Sequence, residues 1–169
     1  MTVSSSGKAT VTLPTDEQIL ITREFEAPRR LVYRAFTTPD LVRRWWHANR
    51  GEVTVVEIDL RVGGAWRQVM VTNDGTEVGF HGVYREVVPE ERIVSTEVYE
   101  GLPPGVSEED AATVNTATFE EEDGRTTLTI LVQAASKASR DAIIASGMED
   151  GLGDALALLE QVAISLLEA

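Results

Sequence analysis

The sequence predicts an α+β domain in which a curved antiparallel sheet of seven strands wraps around a long C-terminal helix. One strand and two short helices come first, six strands with short connections follow, and a helix with one nonpolar stripe comes last. Short connections favour antiparallel neighbours. Because a sheet buries its nonpolar face only against another layer, we expect the last helix to lie across the sheet.

Composition limits the classes of protein that fit. The chain has 169 residues, 43% of them hydrophobic and 25% charged, as in an ordinary globular domain. It has no cysteine, which excludes disulfides, thiolate nucleophiles and cysteine-ligated metals. A net charge of −13 opposes binding to nucleic acid or anionic lipid. With no nonpolar run of roughly 18 residues and no signal peptide, we expect a cytoplasmic protein without a membrane span.

The N-terminal part is divided into a leader and the first elements of the domain. We expect residues 1–16 to form a partly flexible leader, with a short strand near residues 9–13 left open, and residues 17–169 to form the domain. Alternation predicts the first strand over residues 18–27, which Pro28 ends. Helical spacing predicts a helix after Pro28 and a second one from Pro39 to about Trp46.

Six further strands are predicted from β-branched residues and turn signals. They cover residues 52–60, 65–72, 78–88, 92–100, 113–121 and 125–134. A change of parity at Val55-Val56 predicts a bulge. Asn73-Asp74-Gly75 and Asp123-Gly124 are typical of hairpin turns.

The C-terminal helix carries a nonpolar stripe with helical spacing. The stripe consists of Ile144, Met148, Leu152, Leu156, Leu159, Ala163 and Leu166. Gly147, Gly151 and Gly153 interrupt the helix, and each costs up to about 1 kcal/mol relative to alanine. We expect close backbone approach, a bend or room for a ligand to offset this cost.

Several motifs together resemble those of one known family. They are Arg23–Pro28 with Leu31–Thr37, Pro39 through Trp45-Trp46, Gly63–Trp66, Gly82–Pro89 with Glu91–Val94, and Gly147–Leu152. On these motifs the chain resembles the START-like, birch-pollen-allergen-like superfamily (SRPBCC). Within it, the chain is similar to the family named after the activator of the heat-shock-protein-90 ATPase, often described as polyketide cyclase-like. The resemblance implies a helix-grip fold with a ligand cavity between sheet and helix, and no universal catalytic signature.

Candidate ligand-binding residues follow from this expected cavity, because large ligand pockets are mostly nonpolar with a few polar groups. The candidates are Trp46, Trp66, Gln68, Met70, Phe80, Tyr84, Thr96, Phe119, Met148, Leu152 and Leu156. Their facing depends on strand register, which a slip of one residue reverses.

Catalytic signals are weak. His81 and Glu97 are the candidate acid–base groups, with the facing of both left open. The parity of His81 is opposite to that of Phe80 and Tyr84, which favours an outward position. The sequence has no Gly-x-Ser-x-Gly elbow and no phosphate loop. With two histidines and no convincing ligand spacing, we expect no metal and no cofactor.

Charge is unevenly distributed along the chain. Six arginines lie between residues 29 and 50, whereas residues 93–124 contain nine acidic residues and no lysine or arginine. A solvated surface explains this pattern, and a dipolar surface that forms a homodimer is the alternative.

Three functions remain in view. The first is binding of a hydrophobic or aromatic small molecule, lipid-like or polyketide-like, in the expected cavity. The second is a cyclase or hydrolase acting in the same cavity. The third is a co-chaperone-like module that binds another protein.

Overall fold

In the computed structural model, which describes residues 8–102 and 104–168, eight strands form one antiparallel sheet. In chain order the strands are β1 (Thr10–Thr12), β2 (Gln18–Phe25), β3 (Gly51–Ile58), β4 (Ala65–Thr72), β5 (Glu77–Val88), β6 (Arg92–Tyr99), β7 (Thr113–Glu122) and β8 (Arg125–Gln133). The helices are α1 (Arg29–Thr37), α2 (Pro39–Val42), α3 (Glu108–Ala111), α4 (Lys137–Ala145) and α5 (Met148–Ser165), followed by a 3-10 turn (Leu166–Glu168). Across the sheet the order is β1-β2-β8-β7-β6-β5-β4-β3.

The sheet has eight strands, so the predicted count of seven is wrong. The additional strand is the short N-terminal one, β1. Thr10–Thr12 pairs antiparallel with β2, with Val11 opposite Ile21. Edge strands carry unpaired backbone groups, and this segment satisfies those of β2. Within the predicted leader, residues 1–7 lie outside the described part of the chain.

The two faces of the sheet have different roles. We call inner the face whose residues join the hydrophobic core with α5. Ile21, Ile130 and Ala117 lie side by side on it across three strands. On the opposite, outer face, Arg67, His81 and Val98 are register partners on β4, β5 and β6. Residues alternate between the faces along each strand.

The predicted single C-terminal helix is broken. Gly147 separates α4 from α5 and has φ +83°, a left-handed conformation that glycine adopts without the usual steric cost. Ile144, predicted on the stripe, is in α4 and is 37% exposed. The stripe therefore begins at Met148. Ser136 caps α4 by accepting a hydrogen bond from the backbone N–H of Ser139.

The second short helix is also shorter than predicted. It ends at Val42, and turns follow up to Arg50. The indole N–H of Trp45 donates to the carbonyl of Ala35 at 2.9 Å, buried in the core. This hydrogen bond holds Trp45 against α1, although α2 ends before it reaches Trp45.

Two ion pairs position α5 against the sheet. Near its C-terminal half, Glu160 lies 3.4 Å from the Arg23 guanidinium, which is buried on the inner face of β2. Near its N-terminal half, Asp154 lies 2.8 Å from Arg50, the residue before β3. The helix therefore crosses the inner face from the β3 side towards β2.

Candidate functional site

The inner face is densely packed under one half of α5 and more open near the other. Leu156, Leu159 and Ala163 are fully buried. Leu152 and Met148, one and two turns before Leu156, remain partly exposed. Dense core packing leaves few voids, so this gradient marks the N-terminal half of α5 as the less densely packed part of the inner face.

Gly151 lies in this more open, N-terminal half of α5. It shares a helix side with Met148 and with Ala155, which is buried in the core. A Cβ built on Gly151 nevertheless meets no atom within 4 Å, and the same holds for Gly153. Of the explanations expected from the sequence, close backbone approach at these two glycines is therefore wrong.

Most of the predicted ligand-binding residues lie on one side of the sheet. The register places Trp66, Gln68, Met70, Phe80, Tyr84 and Phe119 on the inner face, and α5 carries Met148, Leu152 and Leu156. Trp46 joins them through an edge-to-face contact with Phe80, with ring centroids 6.0 Å apart. Phe119 and Leu156 are fully buried and act as core.

Thr96 does not belong to this group. It alternates with Ser95 and Glu97 along β6 and lies on the outer face. Its hydroxyl accepts a hydrogen bond from the backbone N–H of Val83 at 2.9 Å. The predicted inward position of Thr96 is therefore wrong by one residue of register, as a period of two makes easy.

Trp66 has a structural task that its sequence context does not reveal. Its indole N–H donates to the carbonyl of Thr96 at 3.0 Å, reaching across Gly82, its register partner on β5. A Cβ on Gly82 would lie 1.8 Å from that carbonyl oxygen and 2.8 Å from the indole nitrogen. Only glycine leaves room for this cross-strand bond, and Trp66 is buried in the core at 8% exposure.

Glu97 lies on the inner face, which settles one facing that the sequence left open. It is opposite Thr113 in register and accepts a hydrogen bond from the Asn115 amide at 3.2 Å. The Thr113 hydroxyl donates to the Asn115 carbonyl oxygen at 3.0 Å, which orients that amide. Burial raises the pKa of Glu97 to about 7, although the Asn115 hydrogen bond opposes this shift. Near neutral pH the carboxyl can therefore release or accept a proton.

His81 lies on the outer face, as its parity favoured. Its Nδ1 is 2.9 Å from Glu100 Oε2, and Arg67 holds the same carboxylate through two bonds of 2.9 Å. The Arg67 hydrogen bond is the main cause that lowers the pKa of Glu100 to about 2, and His81 adds to it. The sheet separates His81 from Glu97, so the two candidate acid–base groups do not act together.

A groove of about 590 Å³ lies beside His81 on this outer face. It is on the side of the sheet away from α5 and is therefore not the cavity that the sequence predicts. In the described residues no group of three histidine or acidic side chains is arranged to hold a metal ion. None of the described helices is long and nonpolar enough to cross a membrane.

The C-terminal helix α5 covers one face of the antiparallel sheet, and two short helices lie between β2 and β3. This is the helix-grip architecture expected of the START-like superfamily. The comparison with protein families agrees. The sequence model of the family described as Activator of Hsp90 ATPase homolog 1-like protein matches residues 26–163. The chain belongs to this family.

Solved structures with the same fold come from several bacteria. A Rhodobacter sphaeroides protein is 24% identical and has a TM-score of 0.83, with 94% of this chain and 99% of that chain covered. Protein Ms6760 from Mycobacterium smegmatis is 24% identical, with a TM-score of 0.80 and coverage of 91% and 96%. Protein NE0264 from Nitrosomonas europaea is 21% identical, with a TM-score of 0.79 and coverage of 93% and 100%. At this identity they show the fold alone, and no curated protein matches the chain.

Proposed function

We propose that the chain binds a nonpolar small molecule on the inner face of the sheet, against the N-terminal half of α5. We call this the inner-face site. It consists of Trp46, Gln68, Met70, Phe80, Met148 and Leu152. The observation that carries the proposal is the open space at Gly151, between the partly exposed Met148 and the buried Ala155 on one side of α5.

The residue types of the site favour a mostly nonpolar ligand. Aromatic rings and methionine side chains supply large contact areas, and methionine adapts to irregular shapes. Trp46, Met70, Phe80 and Met148 are partly exposed, so a bound molecule would remove additional nonpolar surface from water. Each Å² so buried is worth about 25 cal/mol before the costs of binding.

Polar groups at the edge of the site favour a ligand with one hydrogen-bonding group. Gln68 lies beside Phe80 in register. Glu97 and Asn115 lie further along the same face. A few placed polar groups in a nonpolar site orient a ligand rather than supply most of its affinity.

The proposal is tested with N-phenylnaphthylamine, a neutral nonpolar fluorophore. We expect saturable fluorescence enhancement with the native chain, and at least about a tenfold rise in Kd for Leu152→Trp, whose larger ring fills the site. Gln161→Trp, on the exposed side of α5, is the size-matched control and should bind like the native chain. Equal binding by Leu152→Trp and the native chain, with both folded by circular dichroism, would rule out the site.

A second candidate function is a cyclase or hydrolase reaction at the same site, and Glu97 is the observation that favours it. A carboxyl with a pKa of about 7 is matched to general acid–base catalysis near neutral pH. We expect Glu97→Gln to reduce hydrolysis of a naphthyl ester by about a hundredfold or more while fluorophore binding is retained. If the native chain does not accelerate hydrolysis, or Glu97→Gln hydrolyses the ester at the native rate, this second function is wrong.

A further inference from the structure

The groove on the outer face of the sheet is a second feature that no part of the proposed function uses. It lies across β3 to β6 and is bordered by Glu108 at the start of α3. Its volume of about 590 Å³ is within the usual range for small-molecule sites, roughly 300–1,000 Å³. The sheet separates it from the inner-face site.

The floor of the groove is nonpolar. Val83 and Val98 both line it, and Val83 is 42% exposed in the middle of the sheet's outer face. An isolated exposed valine is unremarkable, but here the two valines lie between charged side chains in one concave surface. This floor suits the nonpolar body of a ligand.

The cationic side chain that lines the groove is already engaged. Arg67 makes two hydrogen bonds to Glu100, so its positive charge is compensated within the protein. A Cβ on Gly79 would lie 2.7 Å from Glu100 Oε1. Glycine at this position therefore gives the Glu100 carboxylate room to reach Arg67.

His81 lies between two carboxylates. Ionised Glu100 can only accept hydrogen bonds, so His81 donates to it from Nδ1 at 2.9 Å. The other ring nitrogen, Nε2, lies 3.8 Å from Glu108 Oε1, at the border of the groove.

Carboxylates outnumber basic side chains at the groove. Glu57 is opposite Arg67 in register, Arg67 is already bonded to Glu100, and Glu108 lies 3.8 Å from His81 Nε2. Three carboxylates thus share one guanidinium and one imidazole, in a chain with a net charge of −13. We propose that this groove binds an organic cation, a primary ammonium attached to a nonpolar body, with the ammonium near Glu108 and His81 and the body on the two valines.

The test is an NMR titration with phenylethylammonium chloride at low ionic strength. We expect saturable shifts of backbone amides at residues 81–83, 96–98 and 108, and none at Leu152. Phenylethanol, which has the same body without the charge, should bind about tenfold more weakly, and phenylpropanoate more weakly still. Added salt should weaken binding of the ammonium.

Charge variants test the placement of the ammonium. Glu108→Gln and Glu57→Gln should each raise Kd about threefold and together about tenfold, as expected for partly exposed charge pairs. Glu109→Gln, the next residue on α3, does not line the groove and should change Kd by less than about twofold. Each variant is checked for an otherwise unchanged spectrum.

Three results would overturn the proposal. These are an absence of shifts in the groove, similar affinities for the ammonium, alcohol and carboxylate probes, and equal effects of Glu109→Gln and Glu108→Gln. The last result would mean that the net charge of the chain, rather than this groove, attracts the cation. None of these results depends on the inner-face site, which is tested with a neutral probe.

Discussion

Replacing Gly151 with alanine isolates the open space beside α5. The substitution removes the helix penalty of glycine, which is up to about 1 kcal/mol in a helix interior. The added methyl group meets no atom within 4 Å, so steric strain does not oppose this gain. We expect the free energy of unfolding to rise by about 0.5–1 kcal/mol, which raises Tm by about 1–4 °C for a chain of this size.

Thermal unfolding followed by circular dichroism measures this shift, and Gly147→Ala is the matched control. Gly147 lies four residues earlier and has φ +83°, where alanine is strained by about 1–2 kcal/mol. The same chemical change should therefore lower Tm at Gly147 and raise it at Gly151. A lower Tm for Gly151→Ala would show that the space is already occupied and would refute the reasoning.

A larger side chain at Gly151 tests whether a ligand uses this open space. Gly151→Trp places a ring in the same space and should raise the Kd for N-phenylnaphthylamine by at least about tenfold. Gln161→Trp, on the exposed side of α5, should leave that Kd unchanged. Undiminished binding by a folded Gly151→Trp variant would show that the probe binds elsewhere.

Three further predictions concern stability. Glu160→Ala leaves the buried Arg23 guanidinium without its partner and should cost about 3 kcal/mol in urea unfolding, whereas the additional change Arg23→Met should recover most of that loss; no loss in the single variant would contradict the ion-pair account. Burial raises the pKa of Glu97 from 4.5 to about 7, so the folded state binds more protons than the unfolded state between these two pH values. The free energy of unfolding should therefore fall by about 3 kcal/mol as the pH rises from 4.5 to 7. Glu97→Gln should lack this component, and parallel pH profiles for both proteins would refute the assignment. Gly82→Ala forces a methyl group against the Thr96 carbonyl and should destabilise the fold by about 1–3 kcal/mol, which an unchanged urea midpoint would contradict.

Strand identity was predictable because alternation and turn chemistry are local signals. The hairpin at Asp123-Gly124 forms as predicted, with both residues at positive φ. The irregularity in β3 occurs between Val53 and Val55, next to the predicted bulge. The count failed only at β1, because a three-residue segment becomes a strand through its pairing with β2 rather than through its own pattern.

The helix break at Gly147 was predictable only in part. The four-residue spacing from Ile144 to Met148 continues through the glycine, so the nonpolar stripe gave no sign that the helix breaks between α4 and α5. The interruption itself was visible as an energetic cost. Whether a glycine bends a helix or merely weakens it depends on the backbone conformation that the rest of the fold imposes.

The site was less predictable than the fold, because it depends on facing and on side-chain contacts between distant residues. Parity correctly favoured an outward His81 but did not decide between Thr96 and Glu97, which are adjacent. The bond from Trp66 to Thr96 crosses 30 positions of sequence and passes over Gly82. No local pattern contains that information.

The most direct test of the inner-face site is methyl NMR of the methionines during titration with N-phenylnaphthylamine. Met70 is on the inner face of β4 and Met148 begins α5, and Met70→Leu and Met148→Leu variants assign their signals. We predict that both methyl signals shift saturably, with the Kd measured by fluorescence. The methyl signals of Val83 on the outer face should not shift. Saturable shifts at Val83 with unchanged Met70 and Met148 signals would contradict a ligand site between the sheet and α5.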